Sequence, residues 1–158
     1  MNSTTSNLLR KVLCTAILVI TAVGTAQAVD LNPAAVAYVV PGDIKWVANP
    51  ANPGIQMAFL LGNPAQPGPY TVRIKWSPGA MSRPHTHPMA RYITVLSGTW
   101  WVGSGAKFDP AGTVPMRAGT FVTHFPDQVH YDGARDEEAV IQITGIGPAP
   151  TNYVTQEK

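Results

Sequence analysis

The four histidines of the chain lie in one central segment, and two of them are separated by a single residue in RPHTHPMARYITVLSG, residues 83–98. In a β-strand, residues two apart share a face and lie about 6–7 Å apart, so His85 and His87 can converge on one metal ion. His130, in FPDQVHYDG (residues 125–133), is a third candidate ligand. Three neutral imidazoles bind zinc and other transition metals well and leave a coordination position open for water or substrate. The pattern predicts a metal site, with a chance pair of surface histidines as the alternative.

Arg91 follows the histidine pair closely and suggests an anion-binding role. If the strand stays regular from His85, odd positions share a face and Arg91 points inward with the histidines. Arginine has only hydrogen-bond donors and cannot coordinate a cation, but it can hold an anionic substrate bidentately beside a metal ion. Two alternatives remain open. A bend after Pro88 would turn Arg91 outward, or Arg91 would pair with a carboxylate such as Asp132 or Asp136.

His124 is the fourth histidine, and it lies in the strand-like stretch TFVTHF. Three interpretations are compatible with this position: a further metal ligand, a proton shuttle beside the site, or a partly buried side chain whose ring is satisfied by neighbours. Six residues and Pro126 separate it from His130, so strand periodicity does not tell whether the two share a face.

The elements that must position these residues are short strands. The 14 glycines and 15 prolines are spread through the chain and divide it into short segments. YTVRIKW (70–76) alternates between apolar and polar residues, as a half-buried strand does. RYITVL (91–96) and TWWVG (99–103) are separated by Ser-Gly, which predicts a hairpin. GTFVTHF (119–125) and AVIQITGIG (139–147) are further strand candidates. This pattern predicts an all-β sandwich, jelly roll or barrel.

Aromatic residues on these segments are candidates for the walls of a small-molecule pocket, with core filling as the alternative. Adjacent residues of a strand face opposite sides, so one member of the Trp-Trp pair is expected inside the barrel and the other outside. The candidate wall residues are Trp76, Tyr92, Trp100, Trp101, Phe121 and Tyr131.

The spacing of the first histidine pair resembles a known motif. The segment from Gly79 to Gly98 resembles the first motif of the cupin superfamily. Five residues separate Gly79 from His85-Thr86-His87, three separate this pair from Arg91, and six separate Arg91 from Gly98. PMRAGTFVTHFPDQVHYDG (115–133) resembles the second motif, although its spacing from proline to histidine is one residue shorter than usual. The resemblance implies a single-domain jelly-roll β-barrel with a metal ion inside.

The same resemblance implies the metal ligands. Matched position by position, they are His85, His87 and His130, which would hold one divalent ion: Zn, Mn, Fe, Ni or Cu. Arg91 occupies the position of the family's glutamate ligand, so three protein ligands are expected instead of four. A site that has lost its metal is the alternative. Dimerisation through an edge strand is a further expectation from the resemblance.

The N-terminal residues have the layout of a secretory signal peptide. Arg10 and Lys11 precede an apolar run over residues 12–23, and Ala26-Gln27-Ala28 forms an A-x-A cleavage site. This predicts a cleaved signal peptide over 1–28 and a cupin β-barrel domain over 29–158, located in the periplasm or secreted. A retained N-terminal anchor is the alternative.

The charge of the mature chain excludes some partners. Removal of the leader leaves no cysteine and equal numbers of basic and acidic residues, without a basic cluster. Nucleic acid is therefore not expected as a partner, nor is stable membrane insertion after cleavage. The expected function is that of a metal-dependent enzyme, of the dioxygenase, isomerase or lyase class, acting on a small anionic organic molecule. A non-catalytic barrel that binds or senses a small ligand or metal, and a structural barrel without metal, are the alternatives.

Overall fold

The computed structural model describes residues 30–155. The predicted signal peptide, residues 1–28, lies outside the described residues, so its cleavage stays a prediction. Residues 30–37 belong to a separate small unit, and they contain one turn in which the amides of Ala35 and Val36 donate to the Asn32 carbonyl. No helix within residues 30–155 is long and apolar enough to cross a membrane.

The remaining described residues, 38–155, contain eleven strands and two short 3₁₀ turns. The 3₁₀ turns are Pro41–Asp43 and Pro110–Gly112. The strands are β1 (Val47–Asn49), β2 (Asn52–Leu61), β3 (Gly68–Trp76), β4 (His85–Thr86), β5 (Arg91–Ser97), β6 (Thr99–Ser104), β7 (Val114–Arg117), β8 (Phe121–His124), β9 (His130–Gly133), β10 (Ala139–Gly147) and β11 (Asn152–Tyr153).

The strands form two antiparallel sheets. The larger has the order β1-β2-β3-β10-β5-β8, and the smaller has the order β11-β4-β9-β6-β7. Neighbours such as β3 and β10 are distant in sequence, so the chain crosses repeatedly between the sheets, as in a jelly roll. The prediction of an all-β jelly roll is confirmed.

The core lies on the inner face of the larger sheet and is closed by residues of the smaller one. Every second residue of β3 is buried, from Tyr70 to Trp76, as the alternation in the sequence predicts. Ile93 on β5, Ile141 on β10 and Trp100 on β6 belong to the same apolar cluster. Because Ile93 packs in this cluster, the odd-numbered residues of β5 face the barrel interior. Arg91 is the first residue on this face.

The predicted hairpin between residues 91–96 and 99–103 is wrong. Strand β5 pairs with β10 and β8, whereas β6 pairs with β7 and β9 in the other sheet. The break at Gly98 is therefore a corner between sheets. Gly98 has a φ of 68°, and a Cβ there would lie 2.0 Å from the Glu138 carbonyl oxygen, so only glycine allows β10 to pass this close.

The aromatic residues divide between the two faces. Trp76, Trp100 and Tyr131 are buried, but Tyr92 and Phe121 stack on each other on the outer surface. The expectation that Tyr92 and Phe121 form a pocket wall is wrong, because Tyr92 on β5 and Phe121 on β8 both face solvent. Trp100 faces inward. Trp101 is half-buried with its ring under the Arg135 guanidinium. This opposite facing of the two tryptophans agrees with the prediction.

Candidate metal centre

Two strands of the smaller sheet bring the three predicted ligands together. His85 on β4 pairs in register with His130 on β9, and His87 follows directly after β4. The ring centroids are 4.4 Å apart for His85 and His130, 4.9 Å for His85 and His87, and 5.4 Å for His87 and His130. One ring nitrogen of each lies within 4.8 Å of the others, and all three side chains are buried. His130, which the sequence placed after a strand, begins a strand of its own.

Each of the three rings is held by a backbone carbonyl at Nδ1. The acceptors are Arg83 O for His85 at 2.7 Å, Pro150 O for His87 at 2.8 Å, and Gln128 O for His130 at 2.9 Å. A carbonyl only accepts, so Nδ1 must donate in every case, and a neutral ring then carries its lone pair on Nε2. This is the arrangement by which proteins orient histidine ligands toward a metal ion.

The surroundings of His87 and His130 favour the neutral form of these two rings. Burial, followed by the charge of Arg91, lowers the pKa of His87 to about 3, although the hydrogen bond to the Pro150 carbonyl raises it. Burial also lowers the pKa of His130, although the Asp132 carboxylate opposes the change. The Nε2 of His130 is buried and has no hydrogen-bond partner among the described residues. A neutral imidazole whose Nδ1 donates to a carbonyl can offer its Nε2 lone pair to a divalent metal ion.

Arg91 points into the barrel, although the strand that carries it is not continuous with β4. Residues 87–90 interrupt the strand and include a bend at Pro88 and Met89, but this bend does not turn Arg91 outward as one alternative held. Arg91 nevertheless shares the inner face of β5 with buried Ile93 and Val95. Its Nη1 donates to His87 Nε2, and its Nε is buried without a partner in the described chain. A metal ion bound by His87 would take the place of this guanidinium contact.

The Arg91 guanidinium interacts electrostatically with the nearby Asp132 carboxylate but does not pair with it directly. Within residues 30–155 it forms no ion pair with Asp132 or Asp136, the partners that the sequence suggested. Burial lowers the pKa of Arg91 from its usual value, while Tyr70 and Asp132 raise it from nearby. Since arginine keeps its proton in proteins, the site contains a cationic group that favours an anion.

His124 lies beside the three ligands and not apart from them. It pairs in register with Arg91, and its ring centroid is 3.7 Å from that of His130. Burial, followed by the charges of the neighbouring histidines and Arg91, lowers its pKa to about 2. Its Nε2 is buried and has no partner within residues 30–155, so the ring is not satisfied by neighbours as one interpretation held. The fourth-ligand and proton-shuttle interpretations both stay predictions.

Asp132 is a site residue that the sequence identified only as a partner for Arg91. It is buried, and together with His124 and His130 it forms a second group of potential ligands that overlaps the first. Ser82 fixes Asp132, since the Ser82 Oγ donates to the Asp132 backbone carbonyl at 3.1 Å and accepts from the Asp132 backbone amide at 2.9 Å. The spacing of two residues from His130 on one strand was the available signal for its inward position.

A cavity of about 110 Å³ adjoins the histidines. It has a polar part, formed mainly by the smaller sheet and the first residues of β5, and an apolar part on the larger sheet. Such a volume admits several water molecules or a small organic ligand. The residues that line it include His85, Arg91, His124, Asp132, Trp76 and Trp100, together with Ile55, Met57, Ile74, Ile93, Ile141 and Ile143.

A protein-family model for the ChrR cupin-like domain matches residues 34–150, which include every residue of this site. The chain belongs to this cupin family. No curated protein is similar enough in sequence to match. Cupin membership, expected from the two sequence motifs, is therefore confirmed.

Solved structures show the same fold. The polyketide cyclase RemF from Streptomyces resistomycificus superposes with a TM-score of 0.64 at 17% identity, over 78% of this chain and 88% of that one. A cupin-2 domain from Rhodospirillum rubrum gives 0.59 at 16% identity, over 77% and 81% of the two chains. KdgF from Halomonas sp. gives 0.54 at 18% identity, over 70% and 94%. At these identities the similarity concerns the fold, and the chemistry must be argued from the site.

Proposed function

We propose that this cupin is an exported, metal-dependent enzyme that binds one divalent ion through His85, His87 and His130 and acts on a small anionic organic molecule. The observation that carries the proposal is the common anchoring of the three Nδ1 atoms on backbone carbonyls, which turns three buried Nε2 atoms toward one another. Reactions of the dioxygenase, isomerase or lyase class suit such a centre.

The metal ion, when bound, would supply a Lewis acid or, in the case of iron, a centre for oxygen chemistry. The residues of the chain supply the rest. Three histidine ligands leave coordination positions open, and the apolar inner face of the larger sheet limits the access of water. Zn, Mn, Fe, Ni and Cu are all compatible with imidazole ligands.

Arg91 would hold the substrate anion next to the metal position. Its guanidinium contacts His87 Nε2, its Nε has no partner within residues 30–155, and no carboxylate there forms an ion pair with it. An anion of the substrate would satisfy both the unpaired donor and the charge. His124 and Asp132 line the same cavity and are placed to transfer a proton.

Metal titration tests the first half of this proposal. Metal-free protein should bind one zinc ion per chain, and His130→Ala should bind at least about a hundredfold more weakly, because it loses a direct ligand. A metal content below about 0.2 ion per chain after metal-replete growth would contradict a resident metal site, since structural and catalytic zinc sites hold their ion stoichiometrically.

An arginine exchange tests the second half. Arg91→Gln should lose most of the binding of a carboxylate such as 3-phenylpropanoate to the zinc-loaded protein, while zinc binding is kept. Arg73→Gln is the matched control, because Arg73 lies on the opposite face of the larger sheet and bonds Gln142. Equal carboxylate affinity in wild type and Arg91→Gln would show that Arg91 does not anchor the anion.

A further inference from the structure

Three hydrogen-bond donors around the cavity are buried and have no partner among residues 30–155. They are the indole Nε1 groups of Trp76 and Trp100 and the Nε of Arg91. The two tryptophans are 4% and 1% exposed, and both line the cavity. Buried donors without partners are rare in proteins and call for an explanation. Three of them on one cavity indicate a ligand with several acceptor atoms.

The two indoles lie at different ends of the cavity. Trp100 belongs to the histidine end, since its ring centroid is 5.6 Å from that of His124, which pairs in register with Arg91. Trp76 is the last residue of β3 and pairs with Ile55 on β2. Two strand-to-strand steps of about 4.8 Å separate β3 from β5, and Trp76 lies six residues along β3 from Tyr70, the residue level with Arg91 across β10. The donors therefore require acceptors at both ends of an elongated ligand.

Between these ends the lining is apolar and runs diagonally across the larger sheet. From the Arg91 end it passes over Ile93 on β5, Ile143 and Ile141 on β10, and then to β3 and β2. Its last members before Ile55 are Ile74 and Met57, which pair with each other. No charged side chain lies on this diagonal among the lining residues, so the middle of the ligand must be apolar.

We propose that the ligand of this cavity is an elongated amphipathic carboxylate that carries an oxygen acceptor at the end remote from its carboxylate. Arg91 and Trp100 bind the carboxylate, the isoleucines contact the apolar body, and Trp76 donates to the distant oxygen. Trp76 and Trp100 are then residues that determine specificity. This inference rests on the proposed function in one respect, the anchoring of an anion by Arg91, and goes beyond it in naming the class of the ligand.

Indole nitrogen resonances give a direct test, because the chain contains four tryptophans and two of them lie outside the cavity lining. The probe is 3-(4-hydroxyphenyl)propanoate, added to zinc-loaded protein labelled with ¹⁵N at the indoles. The signals of Trp76 and Trp100 should move with one common binding curve. Those of Trp46 and Trp101, whose rings pack under Lys75 and Arg135, should stay in place.

Two analogues separate the parts of the ligand. 3-Phenylpropanoate lacks the distant oxygen and should shift Trp100 but leave the Trp76 signal almost unchanged. The amide of the probe lacks the negative charge and should bind far more weakly. Trp76→Phe should weaken binding of the hydroxylated acid about three- to tenfold, the value of one hydrogen bond, and leave 3-phenylpropanoate unaffected. Trp46→Phe is the matched control for the loss of one indole.

The outcomes distinguish this inference from the proposed function. Unmoved Trp76 and Trp100 signals at millimolar probe, or equal losses for both acids in Trp76→Phe, would overturn the inference even if zinc binds stoichiometrically. If the probe shifts both indoles equally well without zinc, the ligand class stands and the metal has no part in binding it. Should Trp76→Phe fail to fold, the wild-type indole shifts decide alone.

Discussion

Protonation of His87 should couple pH to the stability of the metal-free protein. The ring is 2% exposed, and burial followed by the charge of Arg91 lowers its pKa from 6.5 to about 3. Below pH 6.5 the unfolded chain therefore takes up a proton at this residue that the folded chain does not. Stability must fall as the pH decreases from 6.5 toward 3, and it is fully present above 6.5.

The size of the effect follows from the two pKa values. At about pH 5 the unfolded side chain is about 1.5 pH units below its own pKa, while the folded ring is still neutral. At about 1.36 kcal/mol per unit, His87 should lower the free energy of unfolding by about 2 kcal/mol between pH 7 and pH 5. Such a loss is a large fraction of the stability of an ordinary domain.

Urea unfolding of metal-free protein at these two pH values measures the effect. His87→Gln should show a pH difference smaller than that of wild type by about 2 kcal/mol, because it removes the titrating ring. Arg91→Gln should also show a reduced difference, since it removes the second cause of the shift. Arg73→Gln, a lost arginine on the opposite face, should behave as wild type. An identical pH difference in wild type and His87→Gln would refute this reasoning.

His124→Gln should still bind one zinc ion per chain, measured by elemental analysis, because the three other histidines form the centre; a loss of zinc would identify His124 as a ligand. Gly98→Ala should lower the free energy of unfolding in urea by at least about 2 kcal/mol, because of its positive φ and the nearby Glu138 carbonyl, and an unchanged midpoint would contradict the corner geometry. N-terminal sequencing of the exported protein should begin at Val29, and an intact leader would contradict cleavage.

Much of the fold could be predicted from local patterns. The alternation of apolar and polar residues over 70–76 reflects a strand that is buried on one face only. Residues 91–96 and 139–147 were recognisable as strands by their β-branched residues. The pairing of strands was not predictable in the same way. A Ser-Gly break is compatible with a hairpin or with a corner, and the difference depends on the contact of Gly98 with β10, which is distant in sequence.

The site shows the same division. The spacing of His85 and His87 and the positions of the flanking glycines match the first cupin motif and indicated these two residues as metal ligands. The second motif indicated His130. The unpaired donors of Trp76 and Trp100 depend on how the folded barrel packs, and Asp132 is fixed by Ser82, which is 50 residues away in sequence, so neither left a local signal for a ligand. Residue type and spacing predict which groups can bind a metal, whereas the cavity beside them is a property of the folded barrel.

The most direct test is an anomalous-difference map of crystals grown with zinc. One peak should lie about 2.0–2.1 Å from the Nε2 atoms of His85, His87 and His130, with the Arg91 guanidinium displaced from His87. The absence of a peak at this position, or a peak bound by His124 and Asp132 without His85 and His87, would contradict the three-histidine centre.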